Sequence, residues 1–335
     1  MAPEASRVRG VLAMGDFGHE RCGVGGSEAI MSERLGDLDV LDTAAKGLAP
    51  FVRDARRASL TGAVCVGVYP TTMTVYRVGL LPRAVVLRAL FGRERFRLHL
   101  HEYQHLRRML RWPVTLVALL AGRIIVSSAS ERDALRAAAR GLIGRRCTVE
   151  VAAPTNGMSP SRHDLDVALE PNPERERTVG VFGLCRPDKG ADWLAHTLER
   201  LGPQFNRLVV AGGGWDQHDW PQEVRDRYEI ELLGHVPRAS LPRIFSEWRL
   251  AIAPLWGPAH DGRMSLRTPL AFGVPTLSVG PRGDDLTLDS DHLFLSPPTE
   301  PSALELNGVD RRAGAEQVAA FEQRLAGALA DALFG

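Results

Sequence analysis

The chain has 335 residues, of which 44% are hydrophobic, and carries a formal net charge of +1 at pH 7. Such a chain is long enough for two globular domains with separate cores, and its near-zero charge gives no reason to expect a nucleic-acid partner. The four cysteines form no CxxC pair, which argues against disulfides and a thiolate zinc site, and the N-terminus lacks a signal-peptide pattern. A reduced, cytoplasmic protein is expected.

Along the first half of the chain, short apolar runs alternate with stretches of helical periodicity, which is typical of a parallel sheet with crossover helices. The predicted strands cover residues 8–14, 38–41, 63–68, 96–100, 123–127 and 148–152. The most apolar run, residues 112–121, has about half the length of a membrane-spanning helix. It predicts a buried helix, with a membrane-touching face as the alternative because Arg107, Arg108 and Arg111 lie just before it.

A glycine-rich loop is predicted between the first strand and the first helix, at residues 15–28. Gly25 and Gly26 permit close approach of a ligand to the backbone, and Ser27 can cap a helix whose N–H groups favour phosphate. The spacing does not complete the G-x-G-x-x-G fingerprint of dinucleotide-binding domains. A binding loop and a simple turn are both compatible with this pattern.

Residues 101–105, His-Glu-Tyr-Gln-His, match the H-E-x-x-H pattern of zinc peptidases. That chemistry requires both histidines on one face of a helix, together with a third ligand. The alternating residues 96–100 predict a strand instead, which places His101 and Glu102 at its carboxyl end. A non-metal active-site role for His101 is favoured over a structural role, and a zinc site is the least favoured interpretation.

The second half of the chain repeats the alternation of strands and helices. Its predicted strands cover residues 178–183, 207–211, 229–233, 250–254, 275–279 and 292–295. The polar, proline-broken residues 169–178 predict a linker, and residues 313–333 have the periodicity of a final helix. We therefore predict an N-terminal domain at residues 1–168, a C-terminal domain at 169–312 and a terminal helix at 313–335 that packs back on the first domain.

The loops after the strands are the expected ligand sites, because open parallel sheets bind ligands beyond the carboxyl ends of their strands. The loop 183–190 carries Arg186 and Lys189, two cations next to a predicted helix N-terminus, which together can hold a diphosphate. Lys189 and Lys46 are the only lysines among 41 Lys and Arg residues. Because arginine's planar fork does not reproduce a compact ammonium charge, the presence of Lys189 favours a specific role.

Nine short motifs occur together in one order along the chain. They are Gly25-Gly-Ser-Glu28, His101-Glu-Tyr103, Ser127-Ser128 with Glu131, Pro154-Thr-Asn-Gly157, Pro187-Asp-Lys-Gly190, Val209-Val-Ala-Gly-Gly-Gly214, Leu233-Gly-His-Val236, Ile252-Ala-Pro254 and Ala271-Phe-Gly-Val-Pro275. In this order they resemble the GT-B glycosyltransferases of family 4, over nearly the whole chain. The resemblance implies an α/β fold with two Rossmann-like domains facing across a cleft.

The resemblance also implies an activity, namely retaining transfer of a sugar from a nucleotide diphosphate donor without a bound metal ion. The acceptor is expected to be a small molecule, lipid or saccharide, as in antibiotic and other natural-product biosynthesis or in cell-envelope assembly. The implied catalytic residues are His101, Arg186 and Lys189, and the implied acceptor-side residues are Gly25, Gly26, Ser27, Glu102 and Tyr103. The implied donor-binding residues are Gly183, Gly190, Gly213, Gly214, His235, Val236, His260, Asp261, Gly262, Arg263, Ser265, Arg267 and Thr268.

The chain departs from the family at two glutamates that usually contact the donor sugar and the ribose. Those positions are His260 and Thr268 here, with Asp261 as the candidate substitute. A phosphate-binding surface is predicted instead, formed by Arg263, Ser265, Arg267 and Thr268. The departures leave a catalytically inactive GT-B-like binding protein as the main alternative and a zinc hydrolase as the least favoured one.

Overall fold

The fold is described from a computed structural model of the chain. It describes residues 10–14, 38–42, 47–70, 80–101, 103, 106, 108–143, 145–154, 156, 158–185, 191–255, 258–278, 280, 282–295, 306 and 308–335. These residues divide into two compact units, and the chain passes from the first to the second between residues 157 and 158. The first unit also includes residues 324–335, and the second unit ends at residue 323.

The first unit is built on a six-stranded parallel sheet with the order β2-β1-β3-β4-β5-β6. Its strands are β1 Gly10–Met14, β2 Leu38–Asp42, β3 Val64–Pro70, β4 Phe96–His101, β5 Arg123–Val126 and β6 Thr148–Val151. Central strands of such a sheet are buried on both faces, which explains why they occur in the sequence as continuous apolar runs. All six strands predicted for this half of the chain are confirmed.

Four described helices cover one face of this sheet. They are α1 Leu48–Ser59, α2 Leu80–Arg95, α3 Arg108–Leu120 and α4 Ala129–Ala138. Their apolar sides, including Phe51, Val117 and Leu135, form one core with the sheet. The buried helix predicted at 112–121 is therefore confirmed as part of α3, although Trp112 on the same helix is 63% exposed.

The second unit repeats this architecture, with the strand order β12-β11-β10-β7-β8-β9. Its strands are β7 Thr178–Phe182, β8 Arg207–Ala211, β9 Glu229–Gly234, β10 Leu250–Ala253, β11 Thr276–Ser278 and β12 Leu293–Leu295. Its described helices are α5 Arg162–Leu169, α6 Ala191–Arg200, α7 Gln222–Arg227, α8 Leu241–Ser246 and α9 Met264–Ala271. The six strands predicted for the second half are confirmed as well.

Residues 169–178, predicted as a linker, lie within the second unit. They include a 3-10 turn at Pro173–Arg177. Arg175 Nε donates a hydrogen bond to the carbonyl oxygen of Ser246 at 2.8 Å, which ties this segment to the end of α8. The segment is polar because its side chains form hydrogen bonds with the surface of the second unit. A polar sequence is equally typical of a flexible linker, so the sequence pattern does not distinguish the two.

The last helix, α10 Arg311–Phe334, contributes to both units. Residues 324–335 group with the first unit, where Leu333 packs in an apolar cluster with Leu12 and Val66. Because side chains alternate along a strand, this cluster lies on the sheet face opposite helices α1–α4. None of the helices in the described ranges is both long enough and apolar enough to cross a membrane.

Candidate functional site

The second sheet changes direction between two neighbouring strands. β7 and β10 lie side by side, and the chain continues from β7 to β8 on one side and from β10 to β11 on the other. Open α/β sheets bind ligands at such a switch point, in the crevice beyond the carboxyl ends of the strands. Gly183 directly follows β7, and Pro254 directly follows β10. This end of the second sheet is the candidate functional site.

Two glycine loops interlock at the candidate functional site. Gly183 N donates to Ala211 O at 2.9 Å, and Cys185 N donates to Gly213 O at 2.9 Å. A Cβ on Gly212 would lie 1.8 Å from the Gly183 oxygen, so no larger residue fits there. Gly183 also has a φ of +120°, which residues with a side chain rarely adopt. The two glycine motifs predicted from the sequence are therefore parts of one backbone structure.

Trp215 holds the Gly183 loop in place. Its indole Nε1 donates to the Gly183 carbonyl oxygen at 2.8 Å, and Gly214 before it has a left-handed φ of 85°. The Trp215 ring is 2% exposed and stacks on Trp220, with the ring centroids 5.7 Å apart. Trp215 is not among the site residues predicted from the sequence, where its only signal is a large aromatic side chain directly after three glycines.

The first turn of α9 lies beside Gly183. A Cβ on Gly183 would be 3.4 Å from the Cβ of Ser265. Ser265 is 8% exposed, and its Oγ has no hydrogen-bond partner within the described part of the chain. Arg263 is the N-cap residue of α9, and its side chain is partly exposed. Open backbone N–H groups, a hydroxyl group and a guanidinium together suit a phosphate group.

Asp261 has a structural role in the loop before α9. It is 5% exposed, and its carboxylate accepts hydrogen bonds from Thr287 N at 3.0 Å and Leu288 N at 3.1 Å. The Thr287 hydroxyl donates to the same carboxylate at 2.5 Å. Its neighbour His260 accepts a hydrogen bond from Gly262 N on Nδ1, at 3.2 Å. The oxygens of Asp261, expected to replace those of a sugar-binding glutamate, are thus engaged in the protein's own loop.

Arg267 and Thr268 are both fully buried, which corrects their predicted place on a phosphate-binding surface. Arg267 Nη1 lies 3.0 Å from Oε1 of Glu322, a buried residue of α10. Burial lowers the pKa of Arg267, and the negative charges of Glu322 and Asp261 oppose that shift. The ion pair therefore connects α9 to α10 inside the second unit. Polar residues near a motif indicated a surface here, but the helix turns them inward.

His235 and Val236 follow β9 at the edge of the second sheet. The end of β9 is two strand spacings, roughly 10 Å, from the end of β7. His235 is exposed, whereas Val236 packs against the apolar cluster that contains Phe245 and Trp248. The predicted donor-binding residues thus divide into a group at Gly183 and α9 and a second group at the sheet edge.

In the first unit, His101 ends β4 and pairs in register with Pro70 of β3. The predicted strand is confirmed, so the H-E-x-x-H pattern does not start on a helix, and α3 begins only at Arg108. Tyr103 is fully buried, its hydroxyl lies 2.7 Å from Thr115 Oγ1, and burial raises its pKa. These contacts correct the expected acceptor-side role of Tyr103 to a structural one.

Some predicted site residues lie outside the described residues. They are Gly25, Gly26, Ser27, Glu102, Arg186, Lys189 and Gly190. The side chain of His101 is outside the described part of the structure as well. The roles expected of these residues, and the expected independence of metal, stay predictions.

The sequence of the second unit matches a known family. Residues 176–306 match the family model described as Glycosyl transferases group 1. This segment contains the Gly183 loop, the three glycines before Trp215 and helix α9, so it includes all of the candidate functional site. A comparison with curated proteins gave no significant match.

Several solved structures have a similar fold. The Anabaena protein Alr3699/HepE, solved in complex with UDP-glucose, has a TM-score of 0.56 at 16% identity, covering 96% of this chain and 99% of that chain. Sucrose-phosphate synthase from Thermosynechococcus elongatus has a TM-score of 0.54 at 16% identity, covering 98% and 95%. The α,α-trehalose-phosphate synthase (UDP-forming) from Burkholderia vietnamiensis has a TM-score of 0.54 at 11% identity, covering 95% and 94%.

The two sheets and the similar solved structures together define the fold. The chain has the GT-B fold of two Rossmann-like α/β domains, as expected from its sequence motifs. Within its second unit, residues 176–306 are similar to the group 1 glycosyl transferases.

Proposed function

We propose that this chain transfers a sugar from a nucleotide diphosphate donor to a small-molecule, lipid or saccharide acceptor. One observation carries the proposal: the interlocked Gly183 loop lies beside the first turn of α9, within the segment that matches group 1 glycosyl transferases. The HepE structure, which has a similar fold, contains UDP-glucose and supports a nucleotide sugar as the donor. We assign donor binding to the second unit and acceptor binding to the carboxyl edge of the first sheet.

The proposed chemistry depends on positive charge at the leaving group. Transfer breaks the bond between C1 of the sugar and the diphosphate, and negative charge builds up on the diphosphate as the bond lengthens. Preorganised donors and cations at that place are usually the largest single contribution to such a reaction. We assign this role to Lys189 and Arg186 after the Gly183 loop, and to Arg263 with the open N–H groups of α9.

Retention of configuration follows when the acceptor attacks the face that the diphosphate leaves. The acceptor hydroxyl forms the new bond to C1, and its proton passes to the departing phosphate oxygen, so no carboxylate nucleophile is needed. His101 is then available to orient or polarise the reacting groups. Because cationic side chains neutralise the diphosphate in this scheme, it requires no metal ion.

A donor screen tests the proposed function. UDP-, GDP-, dTDP- and ADP-sugars are added separately to the purified protein, and Tm is measured for each. A donor at about 100 times its Kd stabilises the folded protein by about 2.7 kcal/mol, because it binds only the folded state. Failure of every nucleotide sugar to raise Tm contradicts the proposal, and the nucleotide that does raise it identifies the base.

A second candidate function is binding of a nucleotide sugar without transfer. It is favoured by His260 and the buried Thr268, which stand where the family has glutamates, and by the engagement of Asp261 with Thr287 and Leu288. Hydrolysis assays on any donor that raises Tm distinguish the two functions. Slow release of free sugar supports the transferase, whereas a stabilising donor that stays intact with all acceptors supports binding alone.

A further inference from the structure

The net charge of +1 conceals an uneven distribution between the two units. The sequence of the first unit has 24 Lys and Arg against 15 Asp and Glu residues, a net charge of +9, and the second unit has 17 against 25, a net charge of −8. Much of the positive excess is in the sequence of four helices. Helices α1–α4 contain 11 arginines and four acidic residues, a net charge of +7. We name the outer face of α1–α4 the basic helical layer.

The basic helical layer also exposes large apolar side chains. Leu60, at the end of α1, is 82% exposed, Trp112 on α3 is 63% exposed, and Val85 on α2 is 49% exposed. Arg56 and Arg57 are exposed in the last turn of α1, and neither has an ion-pair partner among the residues that the structure describes. The layer therefore combines unpaired guanidinium groups with apolar groups in contact with water.

We propose that the basic helical layer docks the protein on an anionic lipid surface. Arginines attract the phosphates of acidic lipids, while tryptophan and leucine enter the boundary between headgroups and acyl chains. A nucleic acid would satisfy Arg56 and Arg57 but leave Leu60 and Trp112 in water, so a bilayer matches more of the surface. The opposite face of the first sheet is covered by α10 and is not available for this contact. This proposal does not depend on the transfer of a sugar.

Co-sedimentation of the full chain with lipid vesicles tests the proposal. One vesicle preparation contains phosphatidylcholine alone, and the other contains about 30% phosphatidylglycerol, which supplies the negative surface potential. At about 0.1 M salt, we expect the protein to bind the anionic vesicles and not the phosphatidylcholine vesicles. Release is expected at about 1 M salt, where the screening length falls to about 3 Å.

Paired variants locate the contact on the chain. The double variant Arg56→Gln/Arg57→Gln is expected to lower the vesicle partition coefficient roughly 30-fold, since each basic residue near such a surface contributes roughly fivefold. Trp112→Ala is expected to lower it by at least about tenfold, because its large apolar ring is lost from the interface. The matched controls are two variants in the second unit, Arg225→Gln and Trp193→Ala. The Arg225 side chain is 50% exposed, and Trp193 is 52% exposed. Both controls should bind vesicles as the unchanged protein does.

Three results would overturn the proposal. They are no binding to the anionic vesicles, binding that Arg56→Gln/Arg57→Gln and Trp112→Ala leave unchanged, and equal losses in the two controls. Duplex DNA is tested in parallel by gel shift. Tight DNA binding without vesicle binding would identify a nucleic-acid surface and would overturn the proposal as well.

Discussion

The two units share one architecture and differ in how they carry charge. Each is a six-stranded parallel sheet with covering helices, yet the first has a net charge of +9 and the second one of −8. The unit assigned to bind an anionic donor is therefore the acidic one. In that unit, the proposed recognition of phosphate depends on a few groups at the Gly183 loop and α9, and the surrounding net charge is negative. In the first unit, most of the positive excess belongs to helices α1–α4, which have a net charge of +7.

This difference separates two kinds of anion recognition. A broad exposed surface is strongly screened by salt, whereas a partly buried site with oriented N–H groups is screened much less. Vesicle binding by the first unit should therefore fall steeply with salt, and donor binding by the second unit should change little. Variants in one unit should leave the other activity intact.

The largest effect is expected where the second unit buries an ion pair. Arg267→Ala should lower the free energy of unfolding by about 3–5 kcal/mol, because buried Glu322 then loses the positive charge that lies 3.0 Å from its carboxylate. Chemical denaturation measures the change. Arg267→Met combined with Glu322→Leu is the control, and it should recover most of the stability. A single variant that loses less than about 1 kcal/mol would show that the pair contributes little.

The second-largest effect is expected on kcat when Lys189, the cation assigned to the leaving diphosphate, is replaced. Lys189→Ala should lower kcat by about 10²–10³-fold, because the leaving diphosphate loses a preorganised positive charge. Lys46→Ala, which removes the other lysine of the chain, should leave kcat unchanged. Vesicle binding should be the same in both variants. Near-normal turnover by Lys189→Ala would rule out this role for the ammonium group.

A smaller effect is expected at the interlocked glycines. In Gly212→Ala the new Cβ would lie 1.8 Å from the Gly183 oxygen, so the loops must separate at a cost of about 1–3 kcal/mol. Donor affinity should fall with it, while vesicle binding should persist. Gly327→Ala in α10 meets no atom within 4 Å and should stabilise the helix by up to about 1 kcal/mol. Equal donor affinity in both variants would show that the loops do not bind the donor.

The smallest effect concerns one hydrogen bond. Trp215→Phe keeps an aromatic ring but removes the donor to Gly183 O, which should cost about 0.5–1.5 kcal/mol and raise the donor Kd a few-fold. Trp248→Phe is the matched control, because Trp248 is equally buried and its indole N–H has no partner among the described atoms. Donor titrations of both variants measure the difference. An unchanged Kd for Trp215→Phe would limit Trp215 to packing.

Local patterns were sufficient to predict the framework of the molecule. Each of the twelve predicted strands exists, because a strand buried on both faces requires a continuous apolar run, and such runs are visible in sequence. The glycine motifs near 183 and 212 were also predictable, since close backbone approach and a positive φ tolerate little else. Their interlocking was not, because it depends on which strands are neighbours in the sheet.

Side-chain direction was the part that sequence could not supply. Asp261, Arg267 and Tyr103 have residue types that suit a binding site, but each is buried and contacts partners within its own unit. Whether a polar residue faces a ligand or a buried partner is decided by tertiary contacts such as Glu322, far away in the chain. The net charge of the whole chain likewise does not reveal the charge of each unit, because the sum cancels two opposite values.

Isothermal titration with the identified nucleotide sugar measures whether the second unit binds the donor through Lys189. We assign donor binding to the Gly183 loop, α9 and Lys189 of the second unit. This assignment predicts the same Kd for the unchanged protein and for Arg56→Gln/Arg57→Gln, and a Kd at least about tenfold higher for Lys189→Ala, a loss of about 1.4 kcal/mol. An equal Kd in Lys189→Ala, or no binding of any nucleotide sugar to the unchanged protein, would contradict it.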